Sequence, residues 1–250
     1  MERPVLILGA GSAMARALAR RLASQGHDLV LAGRDAEELG RIAADIGVRY
    51  GRRAEAVAFD ALAFETHDAL AARCSELAGP GGLHAVVDCH AIMPEQEEAF
   101  RDPEVTRRMM DANFTSAVTL LNRFAAQFEA RGSGVLVAVG SVAGDRGRQS
   151  NFLYGASKAG LAAYLEGLRH RLARTGVAVV TVKPGFVDTA MTFALLKPGS
   201  PLTASPERVA RDIHRAMLKR SAVIYTPWFW RWIMLVIRSV PRFIFHKTRL

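Results

Sequence analysis

Short, continuously apolar segments alternate with longer stretches of helical periodicity along most of the chain. Val5–Leu8 is the first such segment, and residues 135–139 and 177–183 have the same character further on. Strands that are apolar at every position are buried on both faces, which is typical of a parallel sheet with helices on both sides. We therefore expect a doubly wound α/β domain, whose ligands bind beyond the carboxyl ends of the strands.

The pattern places strands over residues 5–8, 28–32, 54–59, 84–89, 135–139 and 177–183, with a further candidate at 222–225. It places helices over 13–25, 36–47, 63–77, a long stretch through Asn113 to 130, 154–174 and 206–219. Residues 190–205 have no period and are rich in Pro and Gly, which is typical of a loop over a binding site. We divide the chain into a domain over 1–221, including this loop, and an extension over 222–250.

Composition narrows the class of protein and its surroundings. The chain has 250 residues, half of them hydrophobic, which suits one α/β domain. Cys74 and Cys89 are too few for a disulfide framework, and no secretory signal precedes the first strand, so we expect a cytoplasmic protein. The net charge of +9 lies mostly in residues 211–250, and the nearly neutral remainder argues against nucleic acid as a partner.

A glycine-containing turn joins the first strand to the first helix. Glycines at this point permit a tight turn and let the backbone approach a pyrophosphate at the helix N-terminus. The alternative is an ordinary strand–helix turn. We expect a nucleotide to be bound by Gly9, Gly11, Ser12, Ala13 and Met14.

The end of the second strand indicates which nucleotide is bound. An Arg at this position binds a 2′-phosphate, whereas a carboxylate binds the ribose 2′-hydroxyl. Arg34 therefore favours NADP(H) over NAD(H), although the adjacent Asp35 leaves NAD(H) open. Asp60, after the third strand, either accepts a hydrogen bond from the adenine amino group or caps the next turn.

Three polar residues have the spacing of an acid/base site. Ser141 follows the fifth strand, and Tyr154 and Lys158 lie four residues apart, on one face of the next predicted helix. A tyrosine titrates near ~10, too high for efficient proton transfer at neutral pH, and a neighbouring ammonium would lower that pKa. We expect Tyr154 to exchange the proton and Ser141 to bind the substrate oxygen.

Together these motifs resemble the short-chain dehydrogenase/reductase family over essentially the full length of the chain. The resemblance implies a Rossmann-fold enzyme, assembled as a homodimer or homotetramer, that moves a hydride between NADP(H) and a carbonyl or alcohol. It makes Asn113, Ser141, Tyr154 and Lys158 the catalytic set. Lys158 would also bind the nicotinamide ribose, and Asn113 would hold a water behind it. Further cofactor contacts are implied for Ala91, Tyr154, Lys158, Pro184, Gly185, Val187 and Thr189.

The chain departs from the family pattern in two places. Ala13 and Ala15 replace glycines of the phosphate-binding turn, so we expect the backbone to sit slightly differently there. Residues 88–91 read Asp-Cys-His-Ala where the family has Asn-Asn-Ala-Gly. We interpret Asp88 and His90 as structural replacements rather than ligands. The scattered histidines show no metal-ligand spacing, so no metal site is predicted.

Two segments, 151–161 and 231–245, also resemble the decaprenylphosphoryl-2-keto-ribose reductases, which reduce a keto-sugar carried on a polyprenyl phosphate. The resemblance implies a lipid-linked carbonyl substrate. One alternative within the enzymes is a reductase of 3-oxoacyl, steroid or other lipid ketones. A different class is a nucleotide-binding sensor without catalysis.

The last residues are both apolar and basic. Residues 222–237 are almost wholly apolar but fall short of the ~20 that a membrane span needs, and Arg231 interrupts them. Trp228, Trp230 and Trp232 cluster there, which suits a helix lying in a headgroup interface at the inner face of the membrane. The alternative is that this segment packs against a second subunit or covers the active site.

Overall fold

The computed structural model describes residues 3–192 and 200–248. Its strands are β1 Val5–Leu8, β2 Leu29–Gly33, β3 Ala54–Ala58, β4 Ala85–Asp88, β5 Gly134–Val139, β6 Val177–Pro184, β7 Phe186–Val187, β8 Thr203–Ala204 and β9 Val223–Thr226. Seven of them form a parallel main sheet in the order β3-β2-β1-β4-β5-β6-β9. The predicted doubly wound sheet is confirmed, as is the candidate strand near 222–225.

Ten α-helices accompany these strands within the described residues. They are α1 Ala13–Ala23, α2 Ala36–Tyr50, α3 His67–Ala78, α4 Gln96–Arg101, α5 Pro103–Met110, α6 Ser116–Arg131, α7 Phe152–Leu172, α8 Pro206–Lys219, α9 Trp230–Ser239 and α10 Arg242–Phe245. Ser205 caps α8 by accepting from the Arg208 amide at 3.2 Å, as its sequence indicates.

The long helical stretch predicted through Asn113 is divided into three helices. Asp102 ends α4 and caps α5, with Pro103 at the first helical position, so a new helix begins there. A π-helical turn, Asp111–Thr115, then joins α5 to α6. Turns of this kind are rare in proteins as a whole, but those that occur are often found at functional sites. This one contains Asn113.

The two faces of the sheet bury separate cores. Val5 and Ile7 of β1 face α1, α2 and α8, whereas Leu6 and Leu8 face α3, α6 and α7. Alternation along a strand produces this division, because successive side chains point to opposite faces. The strand order reverses at β1, between β2 and β4, so a crevice opens at the carboxyl ends of these strands.

The final segment of the chain returns to the body of the protein. β9 pairs with β6, so residues 223–226 belong to the main sheet; the division into 1–221 and 222–250 stays a prediction. The segment predicted as a loop over 190–205 contains β8, which pairs with β7, and its residues 193–199 lie outside the described residues. Among the described helices, none is long and apolar enough to cross a membrane.

Candidate functional site

A cavity of about 890 Å³ lies at the crevice beside β1. Its walls come from the turn after β1, the end of β2, the residues after β3 and those after β4. Of the residues predicted to bind the cofactor, those lining it are Gly9, Gly11, Ser12, Arg34, Asp60 and Ala91. The remaining ones are not among its lining residues: Ala13, Met14, Tyr154, Lys158, Pro184, Gly185, Val187 and Thr189.

The turn after β1 needs glycine at its first position. Gly9 has a φ of +75°, and a Cβ there would lie 2.7 Å from the backbone nitrogen of His90. Ser12 caps α1 by accepting from the Ala15 amide at 3.2 Å. Ala15, one of the two glycine replacements, is fully buried in the core. Its methyl group therefore packs inside the protein rather than in the cavity.

Arg34 shares this cavity with two arginines that sequence reasoning missed, Arg16 and Arg108. Arg16 donates to the Gly11 carbonyl at 2.8 Å and pairs with Glu38 at 2.7 Å. Its position four residues after Ser12, on the same face of α1, was a usable signal. Within the described residues, Arg34 has no ion pair with a carboxylate, so its charge is available to a ligand.

The carboxylates of Asp35 and Asp60, which both line the cavity, accept hydrogen bonds from backbone amides in their own turns. Asp35, which left NAD(H) open, caps α2 by accepting from the Glu38 amide at 2.9 Å. Asp60 accepts from the Leu62 amide at 3.0 Å, which is the turn-capping alternative. Since Asp60 also lines the cavity, a contact with adenine stays a prediction.

Ser141, Tyr154 and Lys158 come together where β5 ends. Ser141 begins the 3₁₀ turn Val142–Asp145 directly after β5, and α7 presents both Tyr154 and Lys158. Lys158 is 2 % exposed, and its Nζ donates to the Val139 carbonyl at 2.9 Å and lies 5.9 Å from the centre of the Tyr154 ring. The ammonium is therefore bound to the backbone rather than to the phenol.

The pKa values of the two α7 residues follow from burial. Burial raises the pKa of Tyr154 to about 12, and a contact with the Ser141 hydroxyl acts in the opposite direction. Burial also lowers the pKa of Lys158, while the charge of Asp88 opposes that shift. The expected lowering of the Tyr154 pKa by Lys158 is therefore not found in this structure, where desolvation raises the pKa and the Ser141 hydroxyl is the group that opposes the rise.

Asn113 connects the site to the segment after β4. Its Oδ1 accepts from the Ile92 amide at 2.8 Å, and its Nδ2 donates to the Ile92 carbonyl at 2.8 Å and to Ser157 Oγ at 3.3 Å. Asn113 is 1 % exposed. It therefore holds one wall of the cavity against α7, which carries the tyrosine and the lysine.

Asp88 and His90 occupy the end of β4, and both side chains are buried. An Asp88 oxygen accepts from the His90 amide at 3.1 Å and also contacts His90 Nδ1. These contacts close the turn after β4, where the family pattern has asparagines. Within the described ranges, no group of three His, Cys, Asp or Glu side chains has the geometry of a metal site.

The inner face of α9 packs beside Ser141. Trp230 and Met234 form a small cluster with Val142, the residue after the serine. The Trp230 ring occupies the space over Gly185, where a Cβ would lie 1.9 Å from Nε1, and that Nε1 donates to the Leu202 carbonyl at 3.3 Å. The end of the chain therefore bounds the site next to Gly185, a predicted nicotinamide contact.

Arg146 fastens the C-terminal end of α9. Its Nη1 donates to the carbonyls of Val240 at 2.7 Å and Arg238 at 3.2 Å, and also to that of Ile237. Its guanidinium lies 3.7 Å from the centre of the Phe245 ring in α10. Because Arg146 lies directly after the 3₁₀ turn, the segment that begins at Ser141 also anchors the end of the chain.

A doubly wound sheet with a nucleotide-sized cavity and an adjoining Ser–Tyr–Lys group defines a nucleotide-dependent oxidoreductase. Residues 3–198 match the family model described as short chain dehydrogenase. The chain belongs to this family, whose members use NAD(P)(H), and it is an oxidoreductase.

Individual proteins that are similar to this chain are consistent with this family assignment. An uncharacterised oxidoreductase of Mycobacterium tuberculosis is 35 % identical over 98 % of this chain and 96 % of its own length. One from Streptomyces coelicolor is 34 % identical over 98 % and 95 %. A short-chain dehydrogenase from Sphingobium yanoikuyae, solved in complex with NADPH, has the same fold, with a TM-score of 0.82 and 24 % identity over 96 % of this chain and 97 % of its own.

Proposed function

We propose that this protein is an NADP(H)-dependent carbonyl reductase with Asn113, Ser141, Tyr154 and Lys158 as its catalytic set. The observation that carries the proposal is the meeting of Ser141, Tyr154 and Lys158 at the end of β5, with Asn113 bracing the same helix. A bound nicotinamide cofactor supplies the hydride.

Tyr154 supplies the proton in this proposal. Its hydroxyl donates to the carbonyl oxygen, and Ser141 donates a hydrogen bond to the same oxygen. The raised pKa keeps the phenol protonated at neutral pH, which is the form required for reduction. Lys158 provides a positive charge that favours the phenolate left after transfer. In the reverse direction, the phenolate accepts the proton of an alcohol.

The charged residues around the expected position of the 2′-phosphate support NADP(H) over NAD(H) as the cofactor. Arg34 offers a charge without a carboxylate partner in the described chain, and Arg16 lies beside the same space. Asp35, the residue that would favour a 2′-hydroxyl, is engaged in capping α2. The Sphingobium relative in fold, and an actinorhodin polyketide ketoreductase with a TM-score of 0.79, were both solved with NADPH.

We further propose a lipid-linked ketone as the substrate, with the enzyme at the inner face of a membrane. The support is the outer face of α9 and α10, where apolar side chains and arginines are exposed together. Its exposed apolar side chains are Trp232, Leu235, Val236, Phe243 and Ile244. A keto-sugar on a polyprenyl phosphate is the narrower form of this proposal, and a 3-oxoacyl or steroid ketone is the alternative. Assembly as a homodimer or homotetramer stays a prediction.

Oxidation of NADPH against a panel of ketones, with wild-type protein and Tyr154→Phe, tests the activity. Phe retains the ring and removes the proton donor, so turnover should fall by roughly 10²–10⁴ while NADPH still binds. Tyr164→Phe, at another tyrosine of α7, is the matched control and should retain turnover. Near-wild-type turnover in Tyr154→Phe would refute the mechanism. NADPH binding with no ketone reduced would favour the non-catalytic sensor.

The same panel separates the substrate classes. A long-chain or polyprenyl-phosphate ketone should have a lower KM than a short analogue with the same reacting group, because only the former reaches α9 and α10. Equal KM values for the long and short members of each pair would contradict the proposal of a lipid-linked substrate. The proposal of carbonyl reductase activity would be unaffected.

A further inference from the structure

His90 has a ring nitrogen that the protein leaves without a partner. The side chain is only 8 % exposed and lines the cavity beside β1. Its Nε2 is buried and has no hydrogen-bond partner among the described residues. Buried polar atoms in proteins are nearly always hydrogen-bonded, so an unpaired one next to a cavity indicates a ligand that completes the hydrogen bond.

Asp88 holds the His90 side chain beside the cavity. One of its carboxylate oxygens accepts from the His90 amide at 3.1 Å and also contacts Nδ1. An imidazole nitrogen donates or accepts according to the tautomer, and a hydroxyl group can do either, so Nε2 can form a hydrogen bond with a hydroxyl group of a ligand in the cavity.

The neighbours of His90 indicate which hydroxyl group this is. Its backbone lies against Gly9, at the first position of the phosphate-binding turn, where even a Cβ would come within 2.7–2.9 Å. Its ring meets the ring of Phe59 edge-on, with centroids 5.4 Å apart, and Phe59 and Asp60, which follow β3, also line the cavity. His90 thus lies between the pyrophosphate position and the adenine position, where the ribose of the adenosine half belongs.

We propose that His90, held in place by Asp88, binds the cofactor through a hydrogen bond between Nε2 and a free hydroxyl of the adenosine ribose. This assignment rests on the proposed NADP(H) dependence, and it is an alternative to our interpretation of His90 as a structural replacement rather than a ligand. Arg34 takes the 2′-phosphate in that proposal, so the hydroxyl is the 3′ one. Gly9 is then required twice, for the turn itself and for the close approach of the His90 backbone.

Two substitutions separate this contact from the structural role of the ring. In His90→Asn, the amide occupies the position of Nδ1 and retains the link to Asp88, but nothing remains at the position of Nε2. In His90→Gln, the longer side chain returns a hydrogen-bonding oxygen near Nε2. His67→Asn is the control, because His67 is also buried and contacts Phe59, with ring centroids 6.1 Å apart, but does not line the cavity.

Dissociation constants for NADPH and ADP-ribose, measured by titration calorimetry without substrate, test the contact, and melting temperatures without ligand check folding. A neutral hydrogen bond contributes about 0.5–1.5 kcal/mol, so His90→Asn should weaken both ligands by roughly 2- to 13-fold. His90→Gln should recover most of that loss, and His67→Asn should bind like wild type. Binding of reduced nicotinamide mononucleotide should be the same in all four proteins.

The 3′-deoxy analogue of NADPH provides a test that does not depend on how the variants fold. Wild-type protein should bind it 2- to 13-fold more weakly than NADPH, and His90→Asn should not distinguish the two. Equal binding of NADPH and its analogue by wild type would overturn the assignment while leaving the reductase in place. If wild type binds neither NADPH nor ADP-ribose, the proposed cofactor dependence is refuted as well.

Discussion

Burial governs the chemistry of single residues at this site. Tyr154 and Lys158 are held in an environment that disfavours the charged form of each, so the phenol stays protonated and the pKa of the ammonium is lowered. The Lys158 ammonium is partnered by the Val139 carbonyl and lies in the field of Asp88. A protonated phenol beside a cation is the arrangement from which a proton can be donated and the resulting charge stabilised.

The raised pKa of Tyr154 predicts opposite pH dependences for the two directions of the reaction. Reduction uses the protonated phenol, so its kcat should stay level through neutral pH and decline only as the pH approaches the tyrosine pKa. Oxidation uses the phenolate and should increase steadily as the pH rises over the same range. We would measure both rates with saturating cofactor from pH 6 to 10. A reduction rate that falls between pH 6 and 8 would show that a group of lower pKa donates the proton.

Arg34 should decide the choice of cofactor. A charge-assisted hydrogen bond is worth about 1.5–3 kcal/mol, so Arg34→Ala should weaken NADPH by roughly 10- to 150-fold and leave NADH nearly unchanged. Arg73→Ala, an exposed arginine on α3, is the charge-matched control. Binding constants measured by fluorescence titration would reveal the difference. Equal losses for both cofactors, or a wild-type preference for NADH, would contradict the assignment of the 2′-phosphate to Arg34.

At the scale of elements, the turn after β5 both carries Ser141 and contacts the last strand and helix of the chain. It begins at Ser141, and its next residue, Val142, packs against Trp230 and Met234 of α9. Further on, Asp145 accepts from Tyr225 Oη of β9 at 2.7 Å and pairs with Lys183 of β6 at 2.5 Å. The position of Ser141 is thus tied to the end of the chain through a continuous set of contacts.

Removal of Arg146 should loosen α9 and α10 without unfolding the sheet. Arg146→Ala loses hydrogen bonds to the last carbonyls of α9 and the contact with Phe245, which we expect to lower the free energy of unfolding by about 1–3 kcal/mol. Trypsin should then cleave first within residues 238–247. The tryptophan fluorescence of the protein should shift to longer wavelength, because Trp230 is buried whereas Trp228 and Trp232 are already exposed. Arg211→Ala removes an equal charge from an exposed site on α8, outside the segment whose cleavage is measured, and serves as the control. Unchanged cleavage in Arg146→Ala would show that the end of the chain is held by its apolar face alone.

At the scale of the whole molecule, the last helices have two unlike faces. The inner face, with Trp230 and Met234, is buried beside the site, while the outer face exposes Trp232, Phe243 and their neighbours. Arg231, Arg238 and Arg242 are exposed on the same two helices. Apolar side chains mixed with arginines suit an anionic headgroup layer, where each basic residue contributes about 1 kcal/mol at low salt.

Sedimentation with vesicles tests this surface. Wild-type protein should bind vesicles that contain anionic lipid at low salt and leave them as the salt concentration rises. Trp232→Ala combined with Phe243→Ala should weaken binding about tenfold or more, because each ring removes apolar contact area. Phe100→Ala, at an equally exposed ring on α4, should have no effect. If the intact protein does not bind the vesicles, and the only effect of the double substitution is that subunits dissociate, the exposed face is a contact between copies of the chain.

The sequence alone determined the doubly wound sheet, because unbroken apolar strands between amphipathic helices have few other ways to be buried. It also determined the positions of Ser141, Tyr154 and Lys158, since their spacing is local to one turn and one helix. Only the tertiary structure decided what burial does to Tyr154, that Arg108 shares the cavity with Arg34, and that Trp230 lies over Gly185. Desolvation and long-range contacts depend on segments far apart in the chain, and no local pattern encodes them.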